Sequence, residues 1–142
     1  MTFPIQTAPG SYLTPRYEHA TVRDVMRHGV ITCSSDTTLR TVARMMSSYH
    51  VHAVVVTEDD GDAWGLVSDF DILRAAGTGA EELTAGHVSR SPAVKVAPTD
   101  SLVRATELMK EYGTGHLVVC DPDPVGVLST LDIAGTLAWG EA

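Results

Sequence analysis

Two cysteines in 142 residues are too few for a disulfide framework. Cys33 and Cys120 each lie in apolar, strand-like text, so they read as small buried hydrophobes kept reduced. Their spacing suggests neither a metal nor a redox pair. No apolar run approaches the roughly 18 residues needed to cross a bilayer. The opening Met1-Thr2-Phe3-Pro4-Ile5-Gln6 is neither a basic leader nor an apolar stretch, which makes the cytoplasm the expected address. No basic run exists either. The ten Lys and Arg residues are scattered singly in a chain of net charge -8, which argues against nucleic-acid binding. A nucleophile with an obvious base is missing, and so is any recognised catalytic motif, so the chain is not expected to be an enzyme. His50-Val51-His52 has the i, i+2 spacing of two zinc ligands on a strand, but no third ligand accompanies it.

What the chain does have is a repeat of itself. Val25-Met26-Arg27 returns as Val88-Ser89-Arg90. Leu39, Met46 and Tyr49 return as Leu102, Met109 and Tyr112, and Val55-Val56 as Val118-Val119. Two residues then drop out of a turn in the second copy, after which Gly65, Ser68, Asp71 and Ile72 return as Gly126, Ser129, Asp132 and Ile133. Each copy follows one grammar. A short strand (Val30–Cys33, Ala93–Val96) gives way to a polar break rich in helix-capping residues. The helix that follows carries one apolar face, through Leu39, Val42, Ala43 and Met46 or through Leu102, Ala105, Leu108 and Met109. Then come a β-branched strand, a turn, a third strand (Trp64–Val67, Val125–Leu128) and a last helix opening at Ser68 or Ser129. The unit is β-α-β-β-α, written twice. A single unit of this size would be marginal alone, so the two should pack as a pseudo-twofold pair with two equivalent clefts between them. The expected division is an arm over 1–20, a first repeat over 21–78, a linker over 79–83, a second repeat over 84–138 and a tail over 139–142.

The one repeated polar signature is Gly-x-x-Ser-x-x-Asp at a strand-to-helix junction. Ser-x-x-Asp has the spacing of a capping box, a purely local device. The same geometry suits a ligand. Helix N-termini favour anions, a serine hydroxyl can donate to a phosphate, and an aspartate accepts well from the paired hydroxyls of a ribose. Glycine upstream would let a ligand lie close to the strand. Both readings stand on these residues.

The whole ordered series resembles a tandem pair of cystathionine-β-synthase-type (CBS) domains, a Bateman module. The stretches that carry the resemblance are Asp24-Val25-Met26, Val30-Ile31-Thr32, Asp36-Thr37-Thr38-Leu39, Val54-Val55-Val56 and Gly65 through Ile72, with looser counterparts at Pro98 through Leu102 and Gly126 through Ile133. It spans about residues 21–138. The resemblance implies a mixed α+β fold (α/β in the broad sense) and clefts that hold an adenine nucleotide (AMP, ADP or ATP) or S-adenosylmethionine as a regulatory ligand. It implies that Asp71 and Asp132 bind ribose hydroxyls and that Ser68 and Ser129 touch phosphate. Thr32 would face the ligand, and Val30, His52 and Ala53 would sandwich the adenine, with Ala93, Gly115 and His116 as second-copy equivalents. Lys95 stands where the first copy has Thr32, and could add a phosphate contact or block the site. His116 opposes Ala53 and would crowd the second pocket. The first site, with Thr32, Ser68 and Asp71 all present, is therefore favoured. The resemblance further suggests a homodimer that signals to a separate effector protein. The alternative is a scaffold of the same fold that binds no ligand.

Overall fold

The computed structural model describes residues 14–79 and 82–141. Most of the expected arm, part of the linker and Ala142 lie outside them. The chain runs α1 (Val22–Val25), β1 (Arg27–His28), β2 (Thr32–Ser34), α2 (Leu39–Tyr49), β3 (Ala53–Thr57), β4 (Ala63–Ser68) and α3 (Asp69–Ala75). The second copy continues with α4 (Ala85–Val88), β5 (Lys95–Val96), α5 (Leu102–Tyr112), β6 (His116–Cys120), β7 (Pro124–Ser129) and α6 (Thr130–Trp139). The mixed α+β repeat expected from the sequence is present. No described helix is long and apolar enough to cross a membrane.

The long helices form where the sequence periodicity puts them. Leu39, Val42 and Met46 are buried along α2, and Leu102, Ala105 and Met109 along α5. Each helix starts on a hydroxyl cap: Thr38 accepts from the Thr41 N–H, and Ser101 from the Arg104 N–H. Each ends on a left-handed residue, which is His50 (φ 54°) in α2 and Gly113 (φ 60°) in α5.

Two sheets result. In the first, β2 runs parallel to β3, and β3 antiparallel to β4. In the second, β5 runs parallel to β6, β6 antiparallel to β7, and β1 adds to the far edge of β7. Val54 and Val56 face the α2 side, while Val55 faces the other sheet with Ala53, Leu66, Ala93 and Val118. A strand buried on both faces explains the unbroken valine run.

The opening segment of each copy belongs to the other copy's body. Ala20, Val22 and Met26 are buried with Val96, Leu102, Leu117 and Leu128 of the second repeat. Ala85 is buried with Leu39, Val42 and Val67 of the first. Backbone bonds fix the exchange: Val22 N–H donates to the Asp100 carbonyl, and Leu66 and Arg90 exchange two bonds of 3.0 and 2.9 Å. The described end of the arm follows, with Tyr17 and Ala20 packed on the second repeat.

This exchange corrects the expected role of the signature glycines. A Cβ at Gly126 would stand 2.4 Å from the Arg27 carbonyl oxygen, and one at Gly65 would stand 3.0 Å from Ser89 Oγ and 3.2 Å from the Arg90 carbonyl oxygen. The close approach is made by the exchanged backbone, not by a ligand.

Candidate functional site: one cleft shared by two capping boxes

A cleft of about 770 Å3 lies between the repeats, large enough for a nucleotide-sized ligand. Both capping boxes line it, whereas Ala93, the second-copy counterpart of Val30, borders a separate smaller pocket. Val30, His52, Ala53, Ser68 and Asp71 line it from the first repeat, and His116, Ser129 and Asp132 from the second. Thr32 and Lys95 do not line it. Thr32 is exposed in β2, where it pairs with Val55. Lys95 Nζ donates to Asp62 Oδ1 at 2.8 Å and borders a smaller pocket of about 390 Å3. Asp62 holds the Lys95 ammonium pKa above its ordinary value. His50, which caps α2, does not line the cleft either.

The two boxes have matching inner geometry. In each, the serine N–H donates to the aspartate Oδ2 at 2.8 Å and the serine hydroxyl donates to the same oxygen at 3.1 Å. The aspartate N–H donates back to the serine oxygen at 3.4 Å. The hydroxyl proton, which a phosphate contact would need, is thus committed to the carboxylate in both repeats. The capping-box reading is satisfied, and what each box has left to offer is the other carboxylate oxygen.

That oxygen differs between the copies. Asp71 is 5% exposed, and its Oδ1 accepts from the guanidinium of Arg74, one turn further along α3. Asp132 Oδ1 accepts no hydrogen bond among the described residues, because Gly135 stands where the first copy has Arg74. Burial pushes the Asp132 carboxyl pKa up, against the two bonds from Ser129 and the nearby charge of Arg27.

The helix starts differ as well. Asp69 Oδ1 accepts from the Phe70 N–H at 2.8 Å, and its Oδ2 lies 3.1 Å from His52 Nδ1. The second copy has Thr130 and Gly115 at those places; it keeps the backbone bond between them, 3.0 Å against 2.9 Å from Asp69 to His52, but not the charged side-chain pair. His116 lines the cleft within electrostatic reach of Asp69 and His52 of the first copy as well as Asp132, and burial lowers its pKa, which favours the neutral ring.

The sequence reading passed over the cations of the cleft. Arg27, Arg74 and Arg90 all line it, three of the ten Lys and Arg residues of an acidic chain. Arg90 donates to the Tyr112 and Gly113 carbonyls at 2.9 and 3.1 Å. Arg27 makes no side-chain hydrogen bond among the described residues. Its recurrence with Arg90 in the repeat was the available signal.

Comparison with known proteins agrees with this architecture. The family model for the CBS domain matches twice, over residues 22–77 and 85–138. Hypoxic response protein 1 of Mycobacterium tuberculosis is 29% identical over 118 residues, covering 80% of this chain and 82% of that protein. A CBS domain-containing protein of Bacillus subtilis is 30% identical over 118 residues, covering 81% and 84%. Among solved structures, a CBS domain protein from Pyrobaculum aerophilum complexed with AMP superimposes with a TM-score of 0.74 at 27% identity, covering 84% of this chain and 98% of that one. With two matched copies spanning most of its length and the fold of a CBS pair, this chain belongs to the CBS domain family.

Proposed function

We propose that the chain is a regulatory module that binds an adenosine nucleotide carrying at least one phosphate in the cleft between its repeats. Asp132 is the observation that carries this reading. It is a half-buried carboxylate in a nucleotide-sized cleft, with one oxygen unused and its ionised form penalised by burial. Two ribose hydroxyls would supply the donors it lacks. Arg27 lies within electrostatic reach of Asp132, so a phosphate on the same ligand has a cation to meet. The AMP complex of the Pyrobaculum relative supports AMP as the first compound to try.

The cleft is bounded by both repeats and by the exchanged segment at Arg27–Val30. A ligand that fits one arrangement of these parts better than another shifts their populations, and a partner protein reads the difference. Exposed Leu137 and Trp139 on α6 are large apolar side chains that a homodimer contact would cover.

The test is thermal unfolding with AMP, ADP, ATP, S-adenosylmethionine, NAD and GTP. A ligand at 100 times its Kd stabilises by about 2.7 kcal/mol, a rise of several degrees in Tm. A rise with an adenine nucleotide that disappears in Asp132→Ala supports the reading. A flat panel with the protein folded transfers support to a ligand-free scaffold.

A further inference from the structure

The contact that separates the two capping boxes is also a contact a ribose would need. Asp71 is nearly sealed, and its two oxygens are both engaged: Oδ2 by Ser68 and Oδ1 by Arg74. Arg74 is held from a second side, its guanidinium lying 5.1 Å from the Phe70 ring centre. Asp71, Arg74 and Phe70 all ride on α3, so the arrangement is independent of how the repeats sit against each other. In the second copy Gly135 brings no side chain to Asp132.

We infer that Arg74 is a built-in competitor for the ribose position on Asp71, so that the chain takes up one nucleotide at Asp132 and admits a second only after Arg74 leaves. The inference rests on the adenine-nucleotide reading above and adds the stoichiometry of that site and the residue that sets it. A ribose diol offers neutral donors to the carboxylate, whereas the guanidinium offers donors and a full positive charge. Exchanging one for the other leaves a buried carboxylate less well compensated. At Asp132 no ion pair has to break, because its Oδ1 accepts no hydrogen bond among the described residues.

The experiment is calorimetric titration of the full chain with AMP. Wild type should bind one AMP per chain, Arg74→Ala two, and Arg74→Lys one again. The first event should keep its Kd within about twofold in these variants, as expected for separate sites. Arg74→Ala combined with Asp71→Ala should return to one, which places the gained event at Asp71. Because Arg74→Ala leaves a buried carboxylate without a cation, Arg74→Gln, which keeps a neutral donor, is titrated beside it and should also gain the second event. Two AMP per wild-type chain would overturn the inference while leaving the nucleotide reading intact. So would a single AMP in both the Ala and Gln variants, or a wild-type event lost in Asp71→Ala but kept in Asp132→Ala. No binding of AMP to wild type or to any variant would remove the nucleotide reading itself, and this inference with it.

Discussion

Ser68 and Ser129 open their helices with the same three bonds at the same distances, yet the two repeats offer a ligand different surfaces. The first copy is saturated: Arg74 covers Asp71, Asp69 covers the Phe70 N–H, and His52 covers Asp69. The second keeps the box and lacks the cover, with Gly135, Thr130 and Gly115 at the three corresponding places. Both copies keep the capping box, which satisfies the backbone at the start of each helix. The residues around it differ between the copies, Arg74 against Gly135 above all, and those residues decide what the box has left to bind.

The largest effect expected from breaking the symmetry is at the signature glycines. Gly126→Ala forces a Cβ against the Arg27 carbonyl and should cost about 2–3 kcal/mol, the upper range for overpacking. Gly65→Ala first meets a serine side chain and should cost about 1 kcal/mol. Urea unfolding of the two variants measures the difference, and equal costs would deny that the exchanged segments set it.

Next comes ligand affinity. Asp132→Ala should weaken AMP binding tenfold or more, in line with about 1.5–3 kcal/mol for bonds to a charged acceptor. Asp71→Ala should leave AMP affinity near that of wild type while lowering stability by about 0.5–2 kcal/mol through the lost cap.

The helix ends give a third, smaller contrast. His50 occupies a left-handed position that Gly113 fills without strain, so His50→Gly should stabilise the fold by about 1 kcal/mol and Gly113→Ala should destabilise it by a similar amount.

His116 gives a contrast with Ala53 that is read by pH. Its folded pKa lies below the ordinary 6.5, so the unfolded chain binds the proton first. Stability should therefore fall as pH drops from 6.5 towards the lowered folded value, and His116→Ala should remove that slope. Asp132, with its carboxyl raised above the ordinary 3.8, acts in the opposite sense: stability gains as pH falls through its raised folded value towards 3.8, where protonation relieves a buried charge. The smallest effect belongs to Lys95→Ala. The ion pair with Asp62 is solvent-exposed and outside the cleft, so stability should change by no more than about 0.5 kcal/mol and AMP affinity not at all.

Much of this was legible in the sequence because it is written in periods. The apolar faces of α2 and α5, the doubly buried valine strands and both capping boxes follow from spacing alone. The exchange of opening segments was not legible. A helix of four residues and a strand of two carry no periodicity, and Val22 or Ala85 reads as apolar whichever core receives it. Of the residues named in advance, those at the strand-to-helix junctions and at the start of β3 and β6 line the cleft. Thr32 and Lys95 fall outside it, both exposed on short strands, with Lys95 drawn to Asp62. Arg74 was passed over because an arginine on a surface helix ordinarily signifies only solvation. Its partner lies one turn back on the same helix, a pairing that spacing permits but does not demand.

The exchanged segments also bear on how the protein is made. Val22 and Met26 are synthesised near the beginning of the described chain, yet the side chains that bury them extend to Leu128 and Ile133. At ordinary elongation rates that interval lasts on the order of 5–20 s. During it the early segment has nowhere native to go. The first sheet meanwhile lacks the Ala85–Arg90 stretch that completes it until the middle of the chain is made. The repeats therefore cannot mature one after the other as beads on a string. The first half completes its core only once Ala85–Arg90 of the second has been made, while the opening segment waits for the strands and last helix of the second half, so the last contacts to form are among the most distant in sequence.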